Sequence, residues 1–305
     1  MTTKPMVLLV GTGLLGSQIA YAILNKGAME LRILVRPGSL SDPAKSEKLD
    51  AFRTKGATFV EGDIMSPASL PAAVAGVEAV ISAIGNDPAS YIAGQTNLLE
   101  ASEQAGVKRF MPSDFTLDYH KLDYGDNFNI DMRKQFFEVL QHSSVPYVSV
   151  NNGSFIEVLT SPFIDTIDVE TETFKYWGTG EQPADFTAIA DVAQYVAEVI
   201  ADPSLINVTL EFVGEVATFK QLREAYEAAT GRTLSERYLG SINELKASIE
   251  ADRTADRPAF EYLGRQYLWG MESGKGKLTQ IANDRYPQIK PITLRQFFAS
   301  VTSDR

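Results

Sequence analysis

Three glycines at the spacing Gly11-x-Gly13-x-x-Gly16 stand directly behind an apolar run, residues 6–10, and open a helical stretch that closes at Gly27. In the loop Gly11, Thr12, Gly13, Leu14, Leu15, Gly16, each glycine has its own task in binding a dinucleotide. The first permits the tight turn, the second lets backbone amides approach a pyrophosphate, and the third lets the helix pack closely on the strand. The helix N-terminus adds partial positive charge beside the phosphates. Twenty residues after Gly16, at the end of a second apolar run, stands Arg36. An acid there would accept a hydrogen bond from the ribose 2′-hydroxyl of NAD, whereas a guanidinium attracts a 2′-phosphate. Ser39 and Lys45 follow and offer a donor and a second cation. The trio favours NADP(H) over NAD(H); the alternative is an ordinary solvated loop carrying two cations.

The elements that must hold these residues follow from the apolar pattern. Runs at 6–10, 31–35, 57–60, 79–83, 109–111 and 147–150 read as strands. Helical stretches at 17–26, 69–75, 95–105 and 131–142 lie between them. Continuous apolar strands between amphipathic helices make a parallel sheet covered on both faces. The fold class is therefore α/β: a doubly wound, mostly parallel Rossmann sheet with a smaller, interleaved substrate lobe. The expected division is a dinucleotide-binding domain over 1–155 and a lobe over 156–305. In that lobe, 173–177 reads as a strand entering the turn Gly178-Thr179-Gly180, 189–200 and 219–230 as helices, and 208–213 as a strand. The charge-dense stretch 242–257 reads as a solvated surface helix.

Composition narrows the chemistry. The 305 residues carry a net charge of −11, a field that repels phosphate backbones, so no nucleic-acid partner is expected. The absence of cysteine excludes disulfides, thiol nucleophiles and iron–sulfur clusters, and two histidines, His120 and His142, are too few for a His-rich metal site. No metal is expected. No apolar run approaches the roughly 18 residues of a membrane span. The first ten residues enter a strand-like run without a signal-peptide pattern, so a cytoplasmic protein is expected. A small-molecule substrate is the expected partner, and the oligomeric state stays open.

The run Leu34-Val35-Arg36-Pro37-Gly38-Ser39 through Lys45-Ser46 is followed by Glu61-Gly62-Asp63, Val80-Ile81-Ser82-Ala83-Ile84-Gly85 and Gln95. Then come Gly106-Val107-Lys108-Arg109-Phe110-Met111-Pro112-Ser113-Asp114-Phe115 and Val145-Pro146-Tyr147 leading to Phe155. In this order and spacing, the first half resembles the NmrA-like and isoflavone-reductase-like group of atypical short-chain dehydrogenase/reductases. Tyr176-Trp177-Gly178 and Asp185-Phe186-Thr187 resemble family segments in the second half.

The resemblance implies a bound NADPH. Arg36 and Lys45 would hold the 2′-phosphate, Asp63 would sit near the adenine, and Ser82, Ala83, Ile84 and Gly85 would line the ribose and pyrophosphate. Gln95 and Ser113, inside the matching segments, join the cofactor-binding set. Phe155 would pack on the nicotinamide, with an ordinary core aromatic as the alternative. Two positions depart from the family pattern: its first loop glycine falls on Val10, and the Asn before the Phe falls on Gly153, displaced from Asn151 and Asn152.

The proton donor is the open question. The Tyr-x-x-x-Lys pair of most short-chain dehydrogenases occurs only as Tyr286-Pro-Gln-Ile-Lys290, where the proline spoils a helix, so a surface loop is expected. Plant reductases of this group place a lysine on the helix before the Val-Pro-Tyr strand. That position is Arg133 here, with Lys134 next to it. An arginine does not give up its proton, although it can stabilise an oxyanion by charge. Lys134 would face about 100° away round the helix. Solvated helix charges are the alternative for both. Tyr119, His120 and Tyr124, in the loop before the helix, are further candidates, with surface positions as the alternative. Two functions follow. One is an NADPH-dependent reductase for a small, aromatic or unsaturated carbonyl-type substrate walled by Phe155, Tyr176 and Trp177. The other is a non-catalytic NADP(H)-sensing binding protein.

Overall fold

The computed structural model describes residues 4–303, which pack as two compact units, each built from three stretches of chain. The first unit takes the chain up to Asp114, then Met132–Val150 and Val192–Leu210. The second takes Phe115–Asp131, Asn151–Asp191 and the chain from Glu211 onward. A single cut at 155 does not separate them: 115–131 belongs with the later chain and 192–210 with the earlier. Linear reading by apolar rhythm sees the order of elements but not the long-range pairing that recruits a late helix to an early sheet.

In the first unit, strands β1 (Met6–Val10), β2 (Glu30–Val35), β3 (Thr58–Glu61), β4 (Ala79–Ser82) and β5 (Arg109–Met111) form one parallel sheet in the order β3-β2-β1-β4-β5. Val7, Leu8 and Leu9 are fully buried, as are Val80 and Ile81, because both faces of the sheet are covered. A bridge from Phe110 to Tyr147 leads to β6 (Val148–Asn151). The doubly wound parallel sheet is the one the sequence implies. Its order reverses between β1 and β4, and ligands of such sheets bind beyond the strand C-termini at that switch point.

Helices α1 (Leu14–Lys26), α2 (Pro43–Thr54), α3 (Leu70–Val74), α4 (Gln95–Gln104) and α5 (Phe128–Gln141) connect the strands. Gly27 ends α1 in the left-handed conformation at φ 64°, its N–H donating to the Ile23 carbonyl at 3.0 Å. The solvated-loop alternative for the segment after Arg36 is corrected by α2. Pro43 occupies its first turn and the Asp42 carboxylate accepts from the Ala44 N–H at 3.0 Å, so a cap and a preset φ start a helix that its charged residues conceal. The helix expected over 69–75 is only the single turn of α3, Leu70–Val74, with Pro71 in its first turn and Gly76, at φ 69°, just beyond its end. Leu98 of α4 and Phe136 of α5 are fully buried in one cluster with Leu8, Val80 and Phe110.

The second unit holds the short strands β7 (Ser154–Phe155), β8 (Ile167–Asp168), β9 (Thr173–Tyr176) and β10 (Ala184–Thr187). Helix α6 (Ile189–Ala201) then starts in this unit and runs on into the first. There β11 (Val208–Glu211) pairs with β6. Strands β12 (Glu215–Ala217) and β13 (Ser235–Tyr238) complete two small sheets of the second unit, β12-β10-β7 and β13-β9-β8.

Helices α7 (Phe219–Thr230) and α8 (Ile242–Thr254) each open with a capping box, Thr218 with Gln221 and Ser241 with Glu244. The expected surface helix over 242–257 is α8, and it still buries Leu245 and Ile249 along one face. Helices α9 (Leu263–Glu272) and α10 (Leu294–Ser303) lie in a stretch whose rhythm the sequence reading did not resolve. The Tyr226 ring of α7 meets Phe298 of α10 edge-on at 5.2 Å. Among the described residues no helix is long and apolar enough to cross a membrane.

Candidate functional site

A cleft of about 790 Å³ opens at the C-terminal ends of β1, β2 and β4, wholly within the first unit. Gly11, Thr12 and Gly13 form one wall, Ala83, Ile84 and Gly85 another, and Arg36, Ser39, Lys45 and Asp63 close the far end. The glycines do what their spacing predicts, each for a separate reason. Gly11 sits at φ 94°, and a Cβ there would run into the Ala83 carbonyl. A Cβ on Gly16 would overlap the Gly11 carbonyl, so only glycine lets α1 lie this close to its own strand. Gly13 faces open space, with nothing within 4 Å of where a Cβ would stand. That open cradle over the start of α1 is what a pyrophosphate requires, so the residues present fit a dinucleotide.

The far end carries the charge. Arg36 is exposed at the tip of β2. The Lys45 ammonium donates to Ser39 Oγ at 3.2 Å and lies 3.3 Å from the Asp42 carboxylate. The Ala44 N–H, and then Lys45, hold the Asp42 carboxyl below the usual carboxylate range. One turn beyond Lys45, the Lys48 ammonium reaches across and donates to the Thr12 carbonyl. Lys48 also lines the cleft and was missed from the sequence. The available signal was helical spacing, since Lys45, Lys48 and Leu49 share one face of α2, but no helix was assigned to the segment from its sequence. Asp63 receives the Met65 N–H at 2.9 Å, and its own N–H donates to Ser69 Oγ at 2.9 Å.

Other nominated residues lie outside the lining of the cleft. Leu14 is 81% exposed, Leu15 is half-buried, and Gly16 is buried behind the loop. Ser82 is fully buried. Gln95 spends both ends of its amide on backbone: Nε2 donates to the Tyr91 carbonyl at 2.9 Å, and Oε1 accepts from the Ser113 N–H at 3.0 Å. Ser113 Oγ donates to the Ile84 carbonyl at 2.9 Å, which fixes the wall of the cleft. Phe155 is half-buried in the second unit.

Arg133 is not a solvated helix charge. It is 5% exposed; its Nε donates to the Asp114 carbonyl at 2.7 Å and Nη2 to Asn86 Oδ1 at 3.1 Å. Its guanidinium carbon lies 5.1 Å from the centre of the buried Tyr91 ring. Lys134 is half-buried. Of the loop candidates, His120 and Tyr124 are exposed as expected. Tyr119 is corrected: it is fully buried, its ring 4.1 Å from the His120 ring, because the loop folds its apolar positions inward. Tyr286 is likewise corrected from surface to interior, packed at 5.9 Å on Phe212, and it leads no helix.

The second unit buries an acid of its own. Glu272, at the end of α9, is 4% exposed and accepts from the Trp177 N–H at 3.4 Å, while its Oε2 has no hydrogen-bond partner. Burial pushes its pKa up to about 8.

The sequence pattern of the NmrA-like family matches residues 2–293. The chain belongs to the NmrA-like family. The resemblance read from the sequence is thereby borne out. Its relatives include phenylcoumaran benzylic ether reductase Pyrc5 of Pyrus communis, 30% identical over 266 residues, covering 82% of this chain and 83% of the relative. Eugenol synthase 1 of Petunia hybrida is 29% identical over 256 residues, 81% of each chain. Among solved structures, AtPrR2 with NADP+ and (+)pinoresinol superposes with a TM-score of 0.84 at 24% identity, over 98% of this chain and 99% of that one. The binary complex of leucoanthocyanidin reductase and NADPH from Vitis vinifera gives 0.79 at 22% identity, over 97% and 98%. These likenesses show that the NmrA-like chain shares their fold.

Proposed function

We propose that this chain is an NADPH-dependent reductase acting on a small, aromatic or unsaturated carbonyl-type substrate. The observation that carries the reading is the cleft itself, where a glycine cradle at the mouth of α1 faces a cationic far end at Arg36, Ser39 and Lys45. Relatives whose names mark them as reductases support it. The loop amides of Gly11 to Gly13 would hold the pyrophosphate, and Arg36 with its neighbours the 2′-phosphate. NADPH, when bound, supplies the hydride.

Arg133 shapes what the protein can add. A guanidinium keeps its proton near neutral pH, so its contribution is fixed positive charge for a developing oxyanion, while solvent or another side chain delivers the proton. The same residue favours a second reading. A chain with the dinucleotide cleft and an arginine where plant relatives place a lysine suits a sensor that binds NADP(H) without turning it over. Incubating the protein with NADPH and a panel of aromatic ketones, enones and quinones tests the choice, read as loss of nicotinamide absorbance. Turnover above background with any of them is expected. Tight NADPH binding with no turnover across the panel refutes the reductase reading in favour of the sensor.

A further inference from the structure

We infer that Met65 is an oxidation switch in the dinucleotide cleft: a peroxide converts its thioether to the sulfoxide, which weakens NADPH binding, and bound dinucleotide shields it. The inference rests on the dinucleotide reading above and adds a means of regulating that same cleft. The chain has no cysteine, so methionine is its only oxidisable sulfur. Met29, Met111, Met132 and Met271 are buried and Met6 is half-buried, whereas Met65 is 47% exposed. Among the described residues, the one exposed thioether therefore stands in the wall of the cleft.

The turn after β3 holds it there. Asp63 Oδ1 accepts from the Met65 N–H at 2.9 Å, and the Asp63 carbonyl accepts from the Ser66 N–H at 2.8 Å. Ile64 packs its side chain on Gly94 and the core cluster of the first unit, while Met65 keeps its own at the surface of the cleft. A flexible, polarisable thioether in that place suits the flat face of a purine base. In the oxidation a sulfur lone pair attacks one peroxide oxygen. The S–O bond forms, the O–O bond breaks, and with hydrogen peroxide the second oxygen leaves as water. Sulfur gives up two electrons, the peroxide takes them, and no NADPH is consumed. The product is a polar, chiral sulfoxide in place of a soft apolar contact, and methionine sulfoxide reductases, one for each epimer, reverse it.

Hydrogen peroxide treatment of the full chain, with and without saturating NADP+, tests this. Peptide mass spectrometry reads the oxygen gained at each methionine, and calorimetry reads NADPH affinity after the peroxide is removed. Met65 should be oxidised ahead of the buried methionines, and several-fold more slowly with NADP+ present. The oxidised chain should bind NADPH about two- to tenfold more weakly, the span of one lost thioether–aromatic contact. Treatment with the two sulfoxide reductases should restore the affinity. Met65→Leu keeps every other methionine; whatever its own affinity for NADPH, peroxide should leave that value unchanged. Oxidation of Met65 with no loss of affinity overturns the switch, as does a Met65 oxidised no faster than the buried methionines or not protected by NADP+. An equal peroxide-induced loss in Met65→Leu overturns it as well. Untreated protein that binds no NADPH fails the dinucleotide reading itself and the switch with it, whereas the other results leave that reading standing.

Discussion

Replacing Glu272 by glutamine should change how the stability of this protein depends on pH. In the folded chain the carboxyl is buried at the C-terminal end of α9, a helix end that itself disfavours negative charge. Its one hydrogen bond comes from the Trp177 N–H, and its pKa rises from 4.5 to about 8 through burial. Between those two values the folded chain keeps a proton that the unfolded chain has released. Stability is therefore lost as pH rises through the window. About 3.5 pH units at 1.36 kcal/mol each set a ceiling of roughly 5 kcal/mol on that loss. Relaxation and water entry reduce such penalties, so about 2–5 kcal/mol is the expected size. Glu272→Gln keeps the shape and the acceptor for Trp177 and removes the titration. Urea unfolding of both proteins from pH 5 to pH 9 should give the smallest difference at the acid end, a variant that pulls ahead steadily as pH rises from about 5, and a constant gap above about pH 8. Parallel pH curves, or a variant less stable throughout, would refute the reasoning.

Gly16→Ala should place a methyl against the Gly11 carbonyl, cost roughly 1–3 kcal/mol by overpacking, and weaken NADPH binding together with thermal stability; thermal denaturation and calorimetry check the two effects. Arg133→Lys gives up the contacts to Asp114 and Asn86, about 1–3 kcal/mol in a urea titration, and installs an ammonium able to pass a proton. NADPH consumption with the substrate panel should rise in that variant relative to the unaltered chain.

What the sequence could reveal depended on how local the cause was. The glycine loop was legible because its constraints are met within a few residues: Gly11 against Ala83 and Gly16 against Gly11 are close approaches in one βαβ unit. Helix α7 was legible to the residue, since Thr218 caps it and Gly231 ends it. Helix α2 was hidden, because its cap is Asp42 but its exposed face is densely charged and only Leu49 and Phe52 are buried. The Lys48 contact was lost with it. For Arg133 the solvated-charge alternative stayed open in the sequence because nothing near it there announces Asn86 or Tyr91, which reach it only through the fold. The raised pKa of Glu272 was equally unreadable, since burial of an acid in a polar-looking stretch is a tertiary fact.

Arg109 shows what the threading of the chain demands during synthesis. On β5 its guanidinium, 2% exposed, donates to the carbonyls of Ile200 and Asp202, each at 2.7 Å. Those acceptors close helix α6, some ninety residues later in the chain. Until that helix is made, Arg109 stands on an uncovered stretch of β5 with water in place of those acceptors. A fragment ending near residue 155 would therefore leave this flank of the first unit open, its cation hydrated instead of sealed.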